Sequence, residues 1–267
     1  MKSETKQLLR DLRAAVLLGR SEAVDIALDN LLELPGISSN DKLSAGFVEQ
    51  VVIPVGEVLS GLKSSQLRPL LAHHLAVGRA VGGVSLAYRY VKYGDSTPKD
   101  LWGPGNDSRQ DVRLALGRSL SILTLVDPYA TMGLGTTWIN QLSPRLRYTA
   151  LLFLPALAHK FEPKILGLLG IASADPSQEV QAALVDALNA LALAGFTSSV
   201  LGTLSLWSSG SQPDAWLICR TLSSSWAANH PVEVKKILQE VYAKTGESSH
   251  ITSALKAIKR HGLDIDI

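Results

Sequence analysis

The sequence has one cysteine, few aromatic residues and almost no net charge. The single cysteine, Cys219, excludes an internal disulfide and a cysteine-rich zinc site. Aromatic residues make up 6% of the 267 residues, the formal net charge is +2, and 46% of residues are hydrophobic. That hydrophobic content with so little net charge excludes an intrinsically disordered chain. The abundance of Leu and Ala, which are strong helix formers, favours a helical protein.

Long apolar runs and targeting signals are also missing. The first twenty residues carry charges throughout and contain no signal-peptide cleavage site. Apolar stretches such as residues 150–158 are far shorter than the ~20 residues that a membrane span needs. We therefore expect a soluble, cytoplasmic protein without a membrane partner.

Motifs of several enzyme classes are absent too. The glycine pairs at Gly103/Gly105 and Gly133/Gly135 lack the Gly-Lys-Ser/Thr of a nucleotide-binding loop, and there is no Gly-x-Ser-x-Gly elbow. On a helix, the adjacent His73 and His74 would point about 100° apart, which disfavours joint metal binding. Cys219 occupies a small position of a helical stripe, where a buried and inert thiol is expected. We predict no catalytic residue, no metal and no cofactor.

The sequence contains a repeat instead. Six ten-residue segments share an apolar pattern, and their apolar second residues are 45, 34, 34, 36 and 35 residues apart. Counted from this second residue, an apolar residue usually follows four and eight positions later, and a small residue often follows three positions later. This spacing is typical of one helix face that packs closely against a neighbouring helix. The six second residues are Leu67, Val112, Leu146, Val180, Trp216 and Ile251.

Shorter apolar runs with helical spacing lie between these segments, at residues 129–142, 162–172, 197–207 and 232–243. Turn residues separate the runs, as in Ala174 to Ser177 and in the stretch 209–214. Two helices per ~35 residues, with no segment of strand periodicity, predict an all-α helical-repeat array, an α-solenoid.

The first hundred residues are helical but less regular. Helical spacing covers residues 3–19, 21–34, 42–62 and 65–93, with a turn at Pro35-Gly36. Residues 94–107 form the longest insertion, which we predict to be a loop. We therefore expect one domain over residues 1–267, with an atypical amino-terminal cap over 1–106 and regular repeats over 107–262.

Two segments resemble HEAT repeats. Residues 175–188, DPSQEVQAALVDAL, resemble the turn and second helix of such a repeat, and residues 111–120, DVRLALGRSL, are similar. The resemblance implies a right-handed α-solenoid of about six to seven HEAT-like helix pairs. In that family, the second helices line the concave face of the array.

Charge is distributed unevenly along the chain. Residues 65–164 carry 12 basic and 6 acidic side chains, a net of +6, whereas residues 165–234 carry 1 and 5, a net of −4. Together with the HEAT resemblance, this charge distribution implies a partly basic groove that attracts phosphate or an acidic protein partner. Alternatively, the same arginines bridge adjacent repeats. The arginines concerned are Arg68, Arg79, Arg113, Arg118, Arg145 and Arg147.

The tryptophans allow similar alternatives. Trp102 lies in the long loop, where it either anchors a partner or folds back onto the array. Trp207 and Trp216 coincide with predicted helices, where core packing explains both of them.

Two function classes stay open. The first is a non-catalytic scaffold or adaptor that presents a helical-repeat surface to a protein partner. The second is a nucleic-acid-binding HEAT-like protein of the DNA alkylpurine glycosylase type. Residues 138–153, WINQLSPRLRYTALLF, resemble a tryptophan-led repeat of that family, but residues 182–188 of the next repeat lack the expected helix tryptophan.

Overall fold

The computed structural model describes residues 3–33, 42–211, 214–246 and 248–266. Helices account for 76% of the chain, and no strand occurs in these ranges, which confirms the predicted all-α class. The predicted turn at Pro35-Gly36 and part of the one at 209–214 lie outside the described residues.

The chain divides into two compact units, Met1–Lys160 and Phe161–Ile267, which we call unit 1 and unit 2. A single domain over the whole chain stays a prediction. Unit 1 contains α1 (Ser3–Leu18), α2 (Ser21–Leu32), α3 (Ala45–Phe47), α4 (Ile53–Leu59), α5 (Arg68–Leu71), α6 (Ala76–Tyr88), α7 (Trp102–Gly105), α8 (Gln110–Leu123), α9 (Pro128–Ile139) and α10 (Pro144–Leu151).

Unit 2 is helical as well. A helix that begins in the last residues of unit 1, α11 (Ala158–Ala172), continues into it. The helices that follow are α12 (Gln178–Leu191), α13 (Thr197–Ser209), α14 (Ala215–Leu222), α15 (Pro231–Thr245) and α16 (Ser249–Arg260). Short π-helical or 3₁₀ segments extend several of these helices: Val48–Val52, Arg89–Tyr93, Leu154–Leu157, Ala192–Phe196 and Ser225–Asn229.

Local sequence explains where many helices begin. The Asp127 side chain accepts hydrogen bonds from the main-chain N–H groups of Tyr129 and Ala130, both at 2.9 Å, and Pro128 occupies the first turn of α9. Asp214 caps α14 in the same way, and Ser248 caps α16. The predicted runs at 129–142, 197–207 and 232–243 therefore form α9, α13 and α15, and the run at 162–172 lies within α11.

Within each unit, several alternate helices pack against each other. In unit 1, α4, α6, α8 and α10 pack in this order; in unit 2, α12 packs on α14, α14 on α16, and α13 on α15. The first residues of α6, α8, α10 and α12 are spaced by 34 residues each time: Ala76, Gln110, Pro144 and Gln178. Four successive alternate helices thus begin at one interval, which α14, beginning at Ala215, does not keep.

The amino-terminal end of this series differs from the prediction. The segment 66–75 does not form a repeat helix, because only Arg68–Leu71 is helical there and a loop follows. The equivalent helix is α6, which begins 34 residues before α8 and so removes the irregular 45-residue interval. The helical spacing of residues 42–62 corresponds to one continuous helical stretch over 45–59, and that of residues 65–93 corresponds to α5 and to a longer stretch over 76–93. The predicted loop at 94–107 contains the short helix α7.

One helical stretch is long and apolar enough to cross a bilayer by length and composition alone. It runs from Gln178 to Ser209, and 44% of its most apolar window is buried within the protein. Gly195, with φ of 98°, interrupts it, so that α12 and α13 are separate helices. Because buried core helices meet the same criteria, this stretch is weak evidence for a membrane protein, and the absence of a membrane partner stays a prediction.

Candidate functional site

Four long side chains make the same hydrogen bond at intervals of 34 residues. Each belongs to the fourth residue of its helix and donates to the main-chain carbonyl six residues earlier, in the preceding loop. A loop carbonyl beside a helix terminus needs such a partner, because the helix does not supply one. The four donor–acceptor pairs are Arg79–His73 (2.9 Å), Arg113–Asp107, Arg147–Gln141 (2.6 Å) and Gln181–Asp175 (2.9 Å).

Three of these donors are predicted groove arginines, and two have further internal contacts. Arg79 also forms an ion pair with Asp107, with 2.7 Å between Nε and Oδ2. Arg113 is fully buried, and its guanidinium carbon lies 5.0 Å from the ring centroid of Tyr148. These contacts agree with the alternative in which the arginines bridge neighbouring repeats. Their role in binding an anion stays a prediction.

The remaining predicted residues are more accessible. Arg118 of α8 forms an ion pair with Glu49 and donates to the carbonyl of Ala45. Arg68 and Arg145 are exposed, and Arg145 has only a long contact of 3.5 Å to the carbonyl of Asn106. Trp102, at the start of α7, is 38% exposed, so it is not fully folded back onto unit 1. A shared binding role of the seven predicted residues stays a prediction.

A cluster of Asp25, His73 and His74 has the composition of a metal site. The two imidazole rings stack with centroids 4.5 Å apart, because both residues lie in the loop before α6 and not on a helix as predicted. The Leu75 N–H donates to Nδ1 of His73 at 3.1 Å, which leaves the ring proton on Nε2, 2.7 Å from Oδ1 of Asp25.

Metal binding would disturb this arrangement. Coordination through Nε2 of His73 would move the ring proton to Nδ1, where it would face the N–H of Leu75. We therefore interpret the cluster as a hydrogen-bonded contact between α2 and the loop before α6.

An exposed apolar cluster lies at the turn between α8 and α9. Four large side chains within eight residues are exposed there, and Leu125 is the most accessible of them at 87%. The turn is held by the Asp127 cap and by the hydroxyl of Thr124, which donates to the carbonyl of Ser121 at 2.7 Å. The ammonium of Lys160 lies 4.0 Å from the ring centroid of Tyr129. We call this surface the apolar turn; its members are Ile122, Leu125, Val126 and Tyr129.

No protein-family model, curated protein or solved structure matches this chain.

Cys219 is buried, as predicted. Burial, and secondarily the charge of Asp214, raises the pKa of the thiol to about 12. At neutral pH the thiolate is therefore too scarce for this cysteine to act as a nucleophile.

Sequence reasoning missed the apolar turn, since Ile122 and Leu125 extend the apolar pattern of α8. A signal was nevertheless present. Leu125 and Val126 directly precede the Asp-Pro pair that begins α9, and two large apolar residues are unusual in a turn between helices.

Proposed function

We propose that the chain is a HEAT-like helical-repeat scaffold that binds a protein partner and catalyses no reaction. The 34-residue spacing of four helix starts supports the repeat assignment, as does the packing of alternate helices within each unit. The hydrogen bond repeated from Arg79 to Gln181 supports it independently, because unrelated helices would not place the same donor at the same register.

The apolar turn is the observation that carries the protein-binding part of the proposal. Single exposed apolar residues are ordinary, but a group of four on one turn is typical of an interaction surface. The Asp127 cap fixes the turn before a partner arrives, which lowers the entropic cost of binding. We expect the partner to be a protein with an apolar surface of its own.

To test this proposal, a photo-crosslinking amino acid is incorporated at position 125 of the full chain. The labelled protein is then crosslinked in extract from the native host. The same label at position 142 is the control, because Leu142 is 97% exposed but lies in the turn between α9 and α10. We expect one protein to crosslink from position 125 and not from position 142. That adduct should disappear when Tyr129→Ser and Val126→Ser are added.

Equal labelling of the same proteins from both positions would contradict the proposal. An adduct that survives both serine substitutions would contradict it as well. Circular dichroism of each variant checks that the helices are intact.

Nucleic-acid binding of the DNA alkylpurine glycosylase type is the second proposal. Its support is the pair of exposed arginines, Arg68 and Arg145, in the basic segment. Duplex DNA binding measured by anisotropy should weaken steeply between about 50 and 200 mM salt if this proposal holds. It should also weaken in Arg145→Glu. Absence of binding at the lower salt concentration would remove this alternative.

A further inference from the structure

A groove between two helices of unit 2 is lined by positive charge. It measures about 450 Å³ and lies between α14 and α16, which pack against each other. That volume is within the range of small-molecule sites, about 300–1,000 Å³. We call it the α14–α16 groove, and the side chains that matter here are Trp216, Arg220, His250, Ser253, Lys256 and Arg260.

Helical spacing brings these groups to one place. Trp216 and Arg220 are four residues apart on α14, and Lys256 and Arg260 are four residues apart on α16. Side chains at this spacing share a face of a helix. The two faces that meet at the groove therefore carry three permanent cations, and none of the described residues that line it is a carboxylate.

The three cations of the groove form no ion pair with the residues that the structure describes. Across the described ranges, neither Arg220, Lys256 nor Arg260 forms an ion pair or a hydrogen bond, whereas the adjacent Lys259 pairs with Asp264 at 2.7 Å. Three like charges around one groove repel each other, and a bound anion would remove this repulsion.

Two carboxylates lie near the groove without lining it. Asp214 caps α14, where its carboxylate accepts the N–H of Leu217 at 2.9 Å, and its charge also reaches Cys219 in the groove wall. Partial burial raises the pKa of Asp186 on α12, and the charge of Arg220 opposes that rise. Asp186 therefore lies within electrostatic range of Arg220, although the two form no ion pair.

Trp216 indicates which kind of anion would fit. It was expected in the core, but it is 36% exposed and contributes to the wall of the groove. An indole beside several cations can bind a base by stacking while the cations bind phosphate. The Ser253 hydroxyl adds a further hydrogen-bond donor. Inorganic phosphate or a simple acidic peptide would make no use of the indole.

We propose that the α14–α16 groove binds a nucleotide, with its phosphates against Arg220, Lys256 and Arg260 and its base against Trp216. This inference is independent of the protein-binding proposal for unit 1. The nucleotide is either a free one or one unit of a single-stranded nucleic acid.

Calorimetric titration of the full chain with ADP, adenosine, pyrophosphate and a ten-nucleotide oligo(dA) tests the proposal. We expect ADP to bind at least about tenfold more tightly than either adenosine or pyrophosphate, since stacking on an aromatic side chain contributes roughly that factor or more. Tighter binding of oligo(dA) than of ADP would identify the nucleic acid as the source. The reverse order would identify the free nucleotide.

Substitutions distinguish the expected base contact at Trp216 from the expected phosphate contacts. Trp216→Ala should weaken ADP binding about tenfold and leave pyrophosphate binding unchanged. Lys256→Glu and the milder Lys256→Gln should weaken both ligands. Lys235→Glu on α15 is the matched control, because it makes the same charge change on an exposed residue of unit 2 outside the groove.

Three results would overturn the proposal. These are pyrophosphate binding as tight as that of ADP, a loss in Lys235→Glu equal to that in Lys256→Glu, and no binding of either ADP or oligo(dA) at low salt. Because Trp216 and Lys256 lie at the surface, we expect their variants to fold, and thermal unfolding of each one verifies this.

Discussion

The basic residues of unit 1 and those of unit 2 are used differently. In unit 1, Arg79, Arg113 and Arg147 contact loop carbonyls, so the charges that dominate the sequence are largely engaged within the fold. In unit 2, Arg220 lies in the most acidic part of the sequence, yet it shares with Lys256 and Arg260 a groove in which no described lining residue is a carboxylate. Net charge along a sequence therefore does not reveal where accessible charge lies. The fold decides which charges have internal partners.

Some glycines of unit 1 lie at close helix contacts. A Cβ at Gly117 would lie 2.6 Å from Cβ of Leu152, and one at Gly135 would lie 2.6 Å from Cδ2 of Leu154. In contrast, a Cβ at Gly133 of unit 1, or at Gly167, Gly170 or Gly202 of unit 2, would meet nothing within 4 Å. These helical glycines of unit 2 therefore resemble Gly133 and not Gly117.

Removing a repeat-linking arginine should have the largest effect on stability. We expect Arg113→Ala to lower the free energy of unfolding by about 2–4 kcal/mol, because it removes a charged hydrogen bond and a cation–π contact from a buried site. Arg220→Ala should change it by no more than about 0.5 kcal/mol, since Arg220 is exposed and forms no hydrogen bond or ion pair with the described residues. Urea unfolding followed by circular dichroism measures both values. Equal losses in the two variants would remove the contrast between the units.

Two glycine substitutions should change the free energy of unfolding by smaller amounts, and the two changes should have opposite signs. Gly117→Ala should lower the free energy of unfolding by about 1–3 kcal/mol, because the new methyl group overlaps Leu152. Gly202→Ala should raise it by roughly 0.5–1 kcal/mol, because alanine favours the helix and has room in α13. Thermal unfolding gives the sign directly. Destabilisation by Gly202→Ala would mean that unit 2 packs as closely there as unit 1.

Periodicity predicted most of the helices but not the register of the first repeat. The spacing around Val112, Leu146 and Val180 coincides with α8, α10 and α12. Leu67 was misleading because an apolar stripe says nothing about helix length, and Pro69 and the loop after Leu71 end α5 within four residues. The register of the first repeat is marked instead by Arg79, which makes the same hydrogen bond to a loop carbonyl as Arg113, Arg147 and Gln181. An apolar pattern does not reveal such a hydrogen bond.

Site residues were harder to predict, for a related reason. Trp216 fits the apolar stripe of its helix, yet the position is 36% exposed in the folded chain. Lys256 and Arg260 are ordinary surface residues until α14 brings Arg220 beside them. His73 and His74 stack because the helix expected there does not form. Each case depends on contacts between segments distant in sequence, which a single sequence does not show.

We expect the anion-binding site to be the α14–α16 groove of unit 2 and not the helices of unit 1, although Arg68 and Arg145 of unit 1 are also exposed. Hydrogen exchange measured by mass spectrometry, with and without saturating ADP, tests it most directly. The account predicts slower exchange in peptides covering Ala215–Leu222 and Ser249–Arg260, and unchanged exchange in those covering Ala76–Tyr88, Gln110–Leu123 and Pro144–Leu151. Protection of the unit 1 helices, with none in α14 and α16, would contradict it.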